Sequence, residues 1–250
     1  MNIREAVDKY DRETSQYIIA YLDILGVTSR MGLQKESQVL PLNKLYNLYM
    51  FVMELTEKDK GIKNLEDIEF KIFSDNIIIA KKLSLTSSER ILDIKSVLNC
   101  VSHFQTSVVG DAVGWLVRGG ITIGEFFIND TMVWGSALLR AIELEEKVAI
   151  YPRIAIDTAI LSELQSNKEL ADYLLLDFDG VHFLNYMNIW HFAGESVKDG
   201  FEKMKSEARN TNGQYPDRIY QKLYWHMNYI NSELDKKNER KDRKYRLYIE

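Results

Sequence analysis

The stretch from Tyr17 to Arg30, YIIAYLDILGVTSR, constrains this chain more than any other. Six mostly apolar residues, rich in Ile and Tyr, run straight into Asp23, and a glycine follows soon after. An apolar run of that length ending at a glycine reads as a fully buried strand. A carboxylate at its end is costly to bury without a cation or hydrogen bonds. The residues Ile24 to Thr28 are expected to make a tight turn into a helix, and such a turn offers backbone N–H groups to an anion. A carboxylate beside an amide-lined turn suits a metal-bound phosphate. An aspartate that merely caps the next helix is the other reading, and this stretch alone leaves both open.

Residues 1–16 are polar and charged, a short helix or an arm and not a secretory signal. After the first strand, about 17–23, a helix is expected in two pieces around Pro41. Its second piece places Leu42, Leu45, Tyr46, Tyr49, Val52 and Leu55 at helical spacing. IEFKIFSDNIIIAKKL reads as a hairpin turning at Ser74-Asp75-Asn76. Thr86 and Glu89 make a capping-box pattern before a helix of about 87–108, with Ile91, Ile94, Leu98, Val101 and Phe104 as its apolar face. GWLVRGGITIGEFFI suggests a strand or two, SALLRAIELEEKV a helix, PRIAID a short strand, and a helix of about 158–170 follows. YLLLDFDGVHFLNYM looks like two strands around Asp179-Gly180. From about 194 the chain reads as helical, broken at NTNGQYP, with a last helix of about 215–237 and a charged end, KKNERKDRKYRLYIE, read as a solvated extension. The order predicts an α+β fold with a ferredoxin-like βαββαβ core, added strands and C-terminal helices. In that arrangement the first strand and the hairpin are neighbours, so Asp23 and Asp75 meet. Taken alone, a hairpin-tip Asp is simply a good turn residue.

At 250 residues the chain is long enough for one sizeable core or two small ones. We divide it into a domain of residues 1–190 and a helical extension of residues 191–250 packed on the same domain. The net charge of −5 argues against a general nucleic-acid binder, which carries a basic surface. No apolar run approaches the roughly 18 residues of a membrane span. Cys100 is the only cysteine, which excludes an internal disulfide. Together these features predict a cytoplasmic protein with no nucleic-acid or membrane partner.

Five blocks carry a resemblance. DILGVT resembles the D-I-x-G-F-T signature of class III nucleotide cyclases, and KIFSDN their K-x-x-G-D hairpin. VRGGITIG looks like their R-x-G-I-x-x-G strand. VWGSALLRAIELE is similar to the W-G-x-x-V-N-x-A-x-R-x-E segment that opens their catalytic helix, and PRIAID falls where they carry a short strand. The blocks come in the family's order over about residues 17–157. The departures are as informative. Leu139 stands where the family has its transition-state Asn, Glu143 at its Arg, Met132 at the Asp that reads adenine, and Ser74 at the Gly before the second Asp. One subgroup resembles this chain throughout, in ALLRAIELE, in DGVHFLNY and in the tyrosine-rich YQKLYWHMNYIN: the pyrimidine cyclases of bacterial anti-phage signalling, the Pycsar systems.

The resemblance implies conversion of UTP, rather than CTP, to the 3′,5′-cyclic nucleotide and pyrophosphate. Two Mg²⁺ or Mn²⁺ ions would be held by Asp23, Asp75 and the Ile24 carbonyl. It places the amides of Leu25, Gly26 and Val27 against the phosphates and Lys71 against the base. With Glu143 at the family's Arg position another cation must meet the developing charge, and Arg140, three residues earlier on the same helical face, is the substitute. A surface or dimer-interface ion pair is the alternative role for Arg140. Met132 either shrinks the base pocket or belongs to the core, and Arg118 either lines the site or pairs structurally. The resemblance further implies a head-to-tail homodimer with composite sites, and an effector that binds the cyclic UMP or cyclic CMP product. A purine cyclase and a catalytically dead, nucleotide-binding regulatory domain are the rival readings.

Overall fold

β1 (Ser15–Leu25) is an inner strand of the sheet, as its apolar run requires: β3 (Asn76–Lys82) pairs with one edge and β4 (Leu116–Ile128) with the other, both antiparallel. β2 (Ile68–Phe73) pairs with β3, so the hairpin forms at Ser74-Asp75. With α1 (Lys35–Lys58) between β1 and β2, and α2 (Ser87–Val109) between β3 and β4, these four strands form the expected ferredoxin-like βαββαβ unit, within an α+β fold. β6 (Ile154–Ile156) extends the sheet in parallel with β4. The hairpin of β7 (Leu174–Leu176) and β8 (His182–Leu184) completes the order β2-β3-β1-β4-β6-β8-β7, and the short β5 (Val133–Trp134) folds back on β4. This computed structural model describes residues 13–26, 35–58, 67–110, 114–192, 194–209 and 217–237. Residues 1–12 of the N-terminal arm, Val27, Thr28, the NTNGQYP break and residues 238–250 of the charged C-terminal end lie outside them. No helix among the described residues is long and apolar enough to cross a membrane.

The two faces of β1 divide as period-two alternation demands. Ile18, Ala20, Leu22 and Ile24 join the largest core cluster, packed against α1 and α2. Tyr17, Ile19 and Tyr21 face the other way, toward α3 (Ser136–Glu143). That helix can sit on β4 because Gly120 has no side chain: a Cβ there would lie 2.5 Å from the Ala141 carbonyl oxygen and from Leu144 Cβ.

Several expectations are corrected. β1 begins at Ser15 and runs on through Ile24 and Leu25, because the longer β4 offers them partners in Val117 and Leu116; the turn starts at Gly26, whose φ is +83°. α1 is a single element across Pro41, whose fixed φ is itself helical. On α1, Leu48 and Val52 are buried, but Leu42 and Tyr46 are exposed; the Leu55 side chain lies outside the described residues. α2 is buried nearly all round from Asp93, including Ser96, Asn99, Ser102, Gln105 and Thr106. It is packed against the sheet, α1, the 3₁₀ segment Tyr186–Phe192 and α6 (Gly194–Arg209). A single apolar stripe gave no sign of those further neighbours.

After β6 the expected helix is split into α4 (Thr158–Ser166) and α5 (Lys168–Ala171) by Asn167, whose side chain caps α5 by accepting from the Glu169 N–H. α6 and α7 (Asp217–Lys237) build a second core with Leu116, Phe183 and Tyr186, around Trp225, Tyr229 and Ile230. α6 crosses the end of α2 so closely that a Cβ on Gly200 would lie 1.8 Å from the Val109 carbonyl oxygen.

Candidate active site

Asp23 lies opposite Arg118 in the β1–β4 ladder, and the two side chains meet: Arg118 Nε donates to Asp23 Oδ2 at 3.0 Å. The other arm of the guanidinium, Nη2, contacts Glu145 Oε1 at 2.6 Å. Glu145 is almost fully buried, at 5% side-chain exposure, and burial pushes its pKa up against the opposing pull of Arg118. It stands on a π-helical turn, Leu144–Val148, that continues α3 and closes with Ala149 N–H donating to Leu144 C=O at 2.8 Å.

Asp75 is brought to the same end of the sheet. Asp23 pairs with Asn76 in the β1–β3 ladder, and the next residue, Ile24, donates its N–H to the Asp75 carbonyl at 3.0 Å. Asn76 Nδ2 donates to Asp75 Oδ1 at 3.3 Å, and Asn76 Oδ1 accepts from the Tyr21 hydroxyl at 2.5 Å. The Tyr21 hydroxyl lies in the field of these carboxylates. Its pKa is raised first by burial and then by the negative charges of Glu145, Asp23, Glu146 and Asp75. Four carboxylates therefore act on this one hydroxyl. Among the described residues no three carboxylate, thiol or imidazole groups converge as a ready-made metal cage. The donor set fits a hard divalent cation that draws its remaining oxygens from a bound phosphate.

Arg140 is not at this end of the sheet. Its guanidinium grips buried Asp157 with two hydrogen bonds, Nε to Oδ2 at 3.0 Å and Nη2 to Oδ1 at 2.9 Å, and reaches Glu143 at 2.8 Å. These bonds raise the Arg140 pKa. Burial pushes Asp157 up, but bonds from Arg140 and from the Thr122 hydroxyl, at 2.7 Å, outweigh it and leave its pKa below the ordinary value. Thr122 is four residues past Arg118 on β4, roughly 13 Å along the strand, so one chain does not unite Arg140 with Asp23.

Lys71 and Met132 do come near one another. Lys71 Nζ is 3.8 Å from Asp130, in the turn that carries Met132. Met132 is half-exposed and lines a cavity of about 760 Å³ with Phe127 and Trp134, which removes the reading of Met132 as core. Leu139, at the position of the family's Asn, is 71% exposed. Leu25 is a strand residue paired in register with Leu116, not a turn residue, and packs partly buried against the second core. Val27 lies outside the described residues.

Comparison with known proteins finds no matching family model and no matching curated protein. Among solved structures the chain is similar to the catalytic core of a rhodopsin-guanylyl cyclase with converted specificity in complex with ATPαS. That likeness has a TM-score of 0.48 and 13% identity, over 70% of this chain and 97% of the other. It is similar to the monomeric guanylyl cyclase domain of the RhoGC fusion protein of the aquatic fungus Blastocladiella emersonii, with a TM-score of 0.47 and 11% identity, over 70% and 96%. A third likeness is to a class III adenylyl cyclase-like ATP-binding protein of Pseudomonas aeruginosa, with a TM-score of 0.46 and 14% identity, over 81% of this chain and 46% of that one.

Sequence reasoning missed four groups. Glu145 and Asn76 support the carboxylates, and Asp157 holds Arg140. The fourth is an ion-pair knot at Arg153, whose fully buried guanidinium binds Asp177 and, at 2.9 and 2.6 Å, Asp179. Asp177 also accepts from Trp225 Nε1 at 2.8 Å. For Glu145 a signal existed: it follows Ala141 by four residues, and Ala141 packs on Gly120, two residues from Arg118.

Proposed function

We propose that this chain is a class III-type nucleotide cyclase that acts on a pyrimidine nucleoside triphosphate, UTP rather than CTP. One observation carries the reading: the two aspartates of the motif blocks, 52 residues apart in sequence, stand side by side, tied by the Ile24–Asp75 backbone bond of 3.0 Å. Asp23, Asp75 and the Ile24 carbonyl would hold Mg²⁺ or Mn²⁺, two ions per site. Those ions supply acidification of the ribose 3′-hydroxyl and neutralisation of the triphosphate for in-line attack on the α-phosphorus. Asn76, fixed by Tyr21, keeps the Asp75 carboxylate aimed. The backbone at Leu25, Gly26 and Val27 lies beside the β- and γ-phosphates, and Arg118 lines the site through Asp23. Lys71 donates to a pyrimidine carbonyl oxygen, and Met132 fills the space that a purine would need.

Arg140 serves the site of a second copy. The chain pairs head to tail as a homodimer, each subunit lending its α3 helix to the other's carboxylates, in C2 symmetry. In this reading residues 1–190 form the catalytic domain and 191–250 a helical extension, the protein is cytoplasmic, and the product acts through a separate cyclic-nucleotide-binding effector in anti-phage defence. One observation favours a second reading, a nucleotide-binding regulatory domain without turnover: Arg140 is already committed to Asp157 by two hydrogen bonds.

The test is incubation of the purified protein with all four labelled nucleoside triphosphates and Mn²⁺, resolved by chromatography beside Asp23→Ala and Asp75→Ala. Cyclic UMP or cyclic CMP that both substitutions abolish is the expected result. Cyclic AMP or cyclic GMP would overturn the pyrimidine assignment, and binding of nucleotide without any product would favour the second reading.

A further inference from the structure

The charges of Asp23, Asp75, Glu145 and Glu146 gather at the end of β1, and Arg118 forms ion pairs with two of them, Asp23 and Glu145, while the charge of Lys222 also acts on Glu145. The two arms of Arg118 are not equivalent. Nη2 lies 2.6 Å from Glu145, which is closed off from solvent, and Nε lies 3.0 Å from Asp23, the more open of the pair at 18% side-chain exposure. Glu145 is fixed from behind. The π-helical turn that carries it is continuous with α3, and Ala141 and Leu144 of the same helical face sit on Gly120, two residues along β4 from Arg118. A closed-off Glu145 needs a cation whether or not anything else is bound, whereas Asp23 has the open side from which another cation can approach.

We propose that Arg118 and Glu145 are positioning residues that set the divalent-ion affinity of Asp23. Arg118 keeps the place of the ion on Asp23 Oδ2 while the site is empty, and Glu145 keeps Arg118 when the ion displaces it. This rests on the reading of Asp23 as a metal ligand. A divalent ion arriving at Asp23 meets a positive charge that must withdraw by only the length of one hydrogen bond. Glu145 lowers the cost of that withdrawal by retaining the other arm of the guanidinium. Without Glu145, Arg118 has Asp23 as its remaining carboxylate partner in the cluster and yields it less readily. Without Arg118, Asp23 faces the ion with its carboxylate unopposed by that guanidinium.

Two substitutions should therefore move ion binding in opposite directions. Mn²⁺ binding is read from loss of the free-ion electron paramagnetic resonance signal, with no nucleotide present, on wild type, D23N, R118M and E145Q, each checked for folding by circular dichroism. The expected result is binding by wild type, loss of it in D23N, affinity at least about tenfold tighter in R118M and about threefold weaker in E145Q, as removal of a like or an unlike charge a few ångströms away requires. General damage to the fold would weaken both variants alike. If R118M does not fold, R118K replaces it: a lysine cannot span both carboxylates, and it should tighten binding by a smaller factor. Binding by wild type that D23N abolishes, with R118M and E145Q unchanged or shifted the same way, overturns the exchange while leaving the metal site standing. No Mn²⁺ binding by wild type, or binding that D23N leaves intact, overturns the metal-ligand reading and the exchange with it.

Discussion

Ser74 has a φ of +63°, the left-handed region that a side chain disfavours by about 1–2 kcal/mol. Ser74 stands where the motif that KIFSDN resembles has glycine, and the backbone shows why glycine suits it. Ser74→Gly is expected to stabilise the protein by about 0.5–1 kcal/mol, read as a higher midpoint in urea, because the strain exceeds the extra chain entropy of glycine. His226 is completely buried, with Nε2 at 3.0 Å from the Tyr186 hydroxyl and Nδ1 without a partner. Burial holds its pKa down to about 3. The unfolded chain therefore takes up this proton first as pH falls. The stability that neutral His226 contributes is whole above the unfolded value of about 6.5 and declines by about 1.4 kcal/mol per pH unit below it, down to the folded value. Urea denaturation between pH 7 and 5, above most carboxylate titration, should show that slope, and His226→Gln should flatten it.

The element scale is where period and spacing served best. The alternation of β1, the hairpin at Ser74-Asp75 and the helix after Thr86 all form as their patterns require. Even there the expected capping box is altered: the Thr86 hydroxyl donates to the Glu89 carboxylate at 2.6 Å, with no side-chain bond from Thr86 to the helix backbone. The glycines of VRGGITIG were legible as a strand but not as a seat for α3. Gly120→Ala would force Cβ to within 2.5 Å of the Ala141 carbonyl oxygen, a backbone atom that cannot rotate away. We expect a loss of about 1–3 kcal/mol in a urea titration, and displacement of Glu145 with the helix that carries it. The burial of polar residues on α2 was not legible, because a helix declares one apolar stripe and says nothing of the neighbours that close over its remaining sides.

At the scale of the whole molecule, Asp23 and Asp75 share one end of the sheet while Arg140 stands elsewhere, so one chain does not assemble the three groups placed in the reaction. The composite site proposed above has a direct consequence. Asp23→Ala and Arg140→Ala, each inactive alone, should regain activity when mixed and allowed to exchange subunits. The heterodimer then holds one site free of both substitutions, and about half the dimers are mixed, so roughly a quarter of wild-type activity is expected. No recovery, with exchange confirmed by sedimentation of tagged subunits, would sink the shared site. The last two helices belong to the same scale: Trp225 of α7 and Arg153, just before β6, meet at Asp177, tying the C-terminal helices to the β7–β8 end of the sheet.

The sequence by itself determined the order of the main strands and helices, the burial of β1, and the meeting of β1 with the hairpin that carries Asp75. Each of these follows from local periodicity, turn chemistry or motif spacing, which a single stretch of chain carries within itself. Only the tertiary structure decided what those aspartates touch. Arg118 between Asp23 and Glu145, Asn76 behind Asp75, and Asp157 around Arg140 are meetings of residues from different elements. Their distances depend on strand register, on a glycine that lets a helix settle and on one wide helical turn, and no local pattern specifies those in combination.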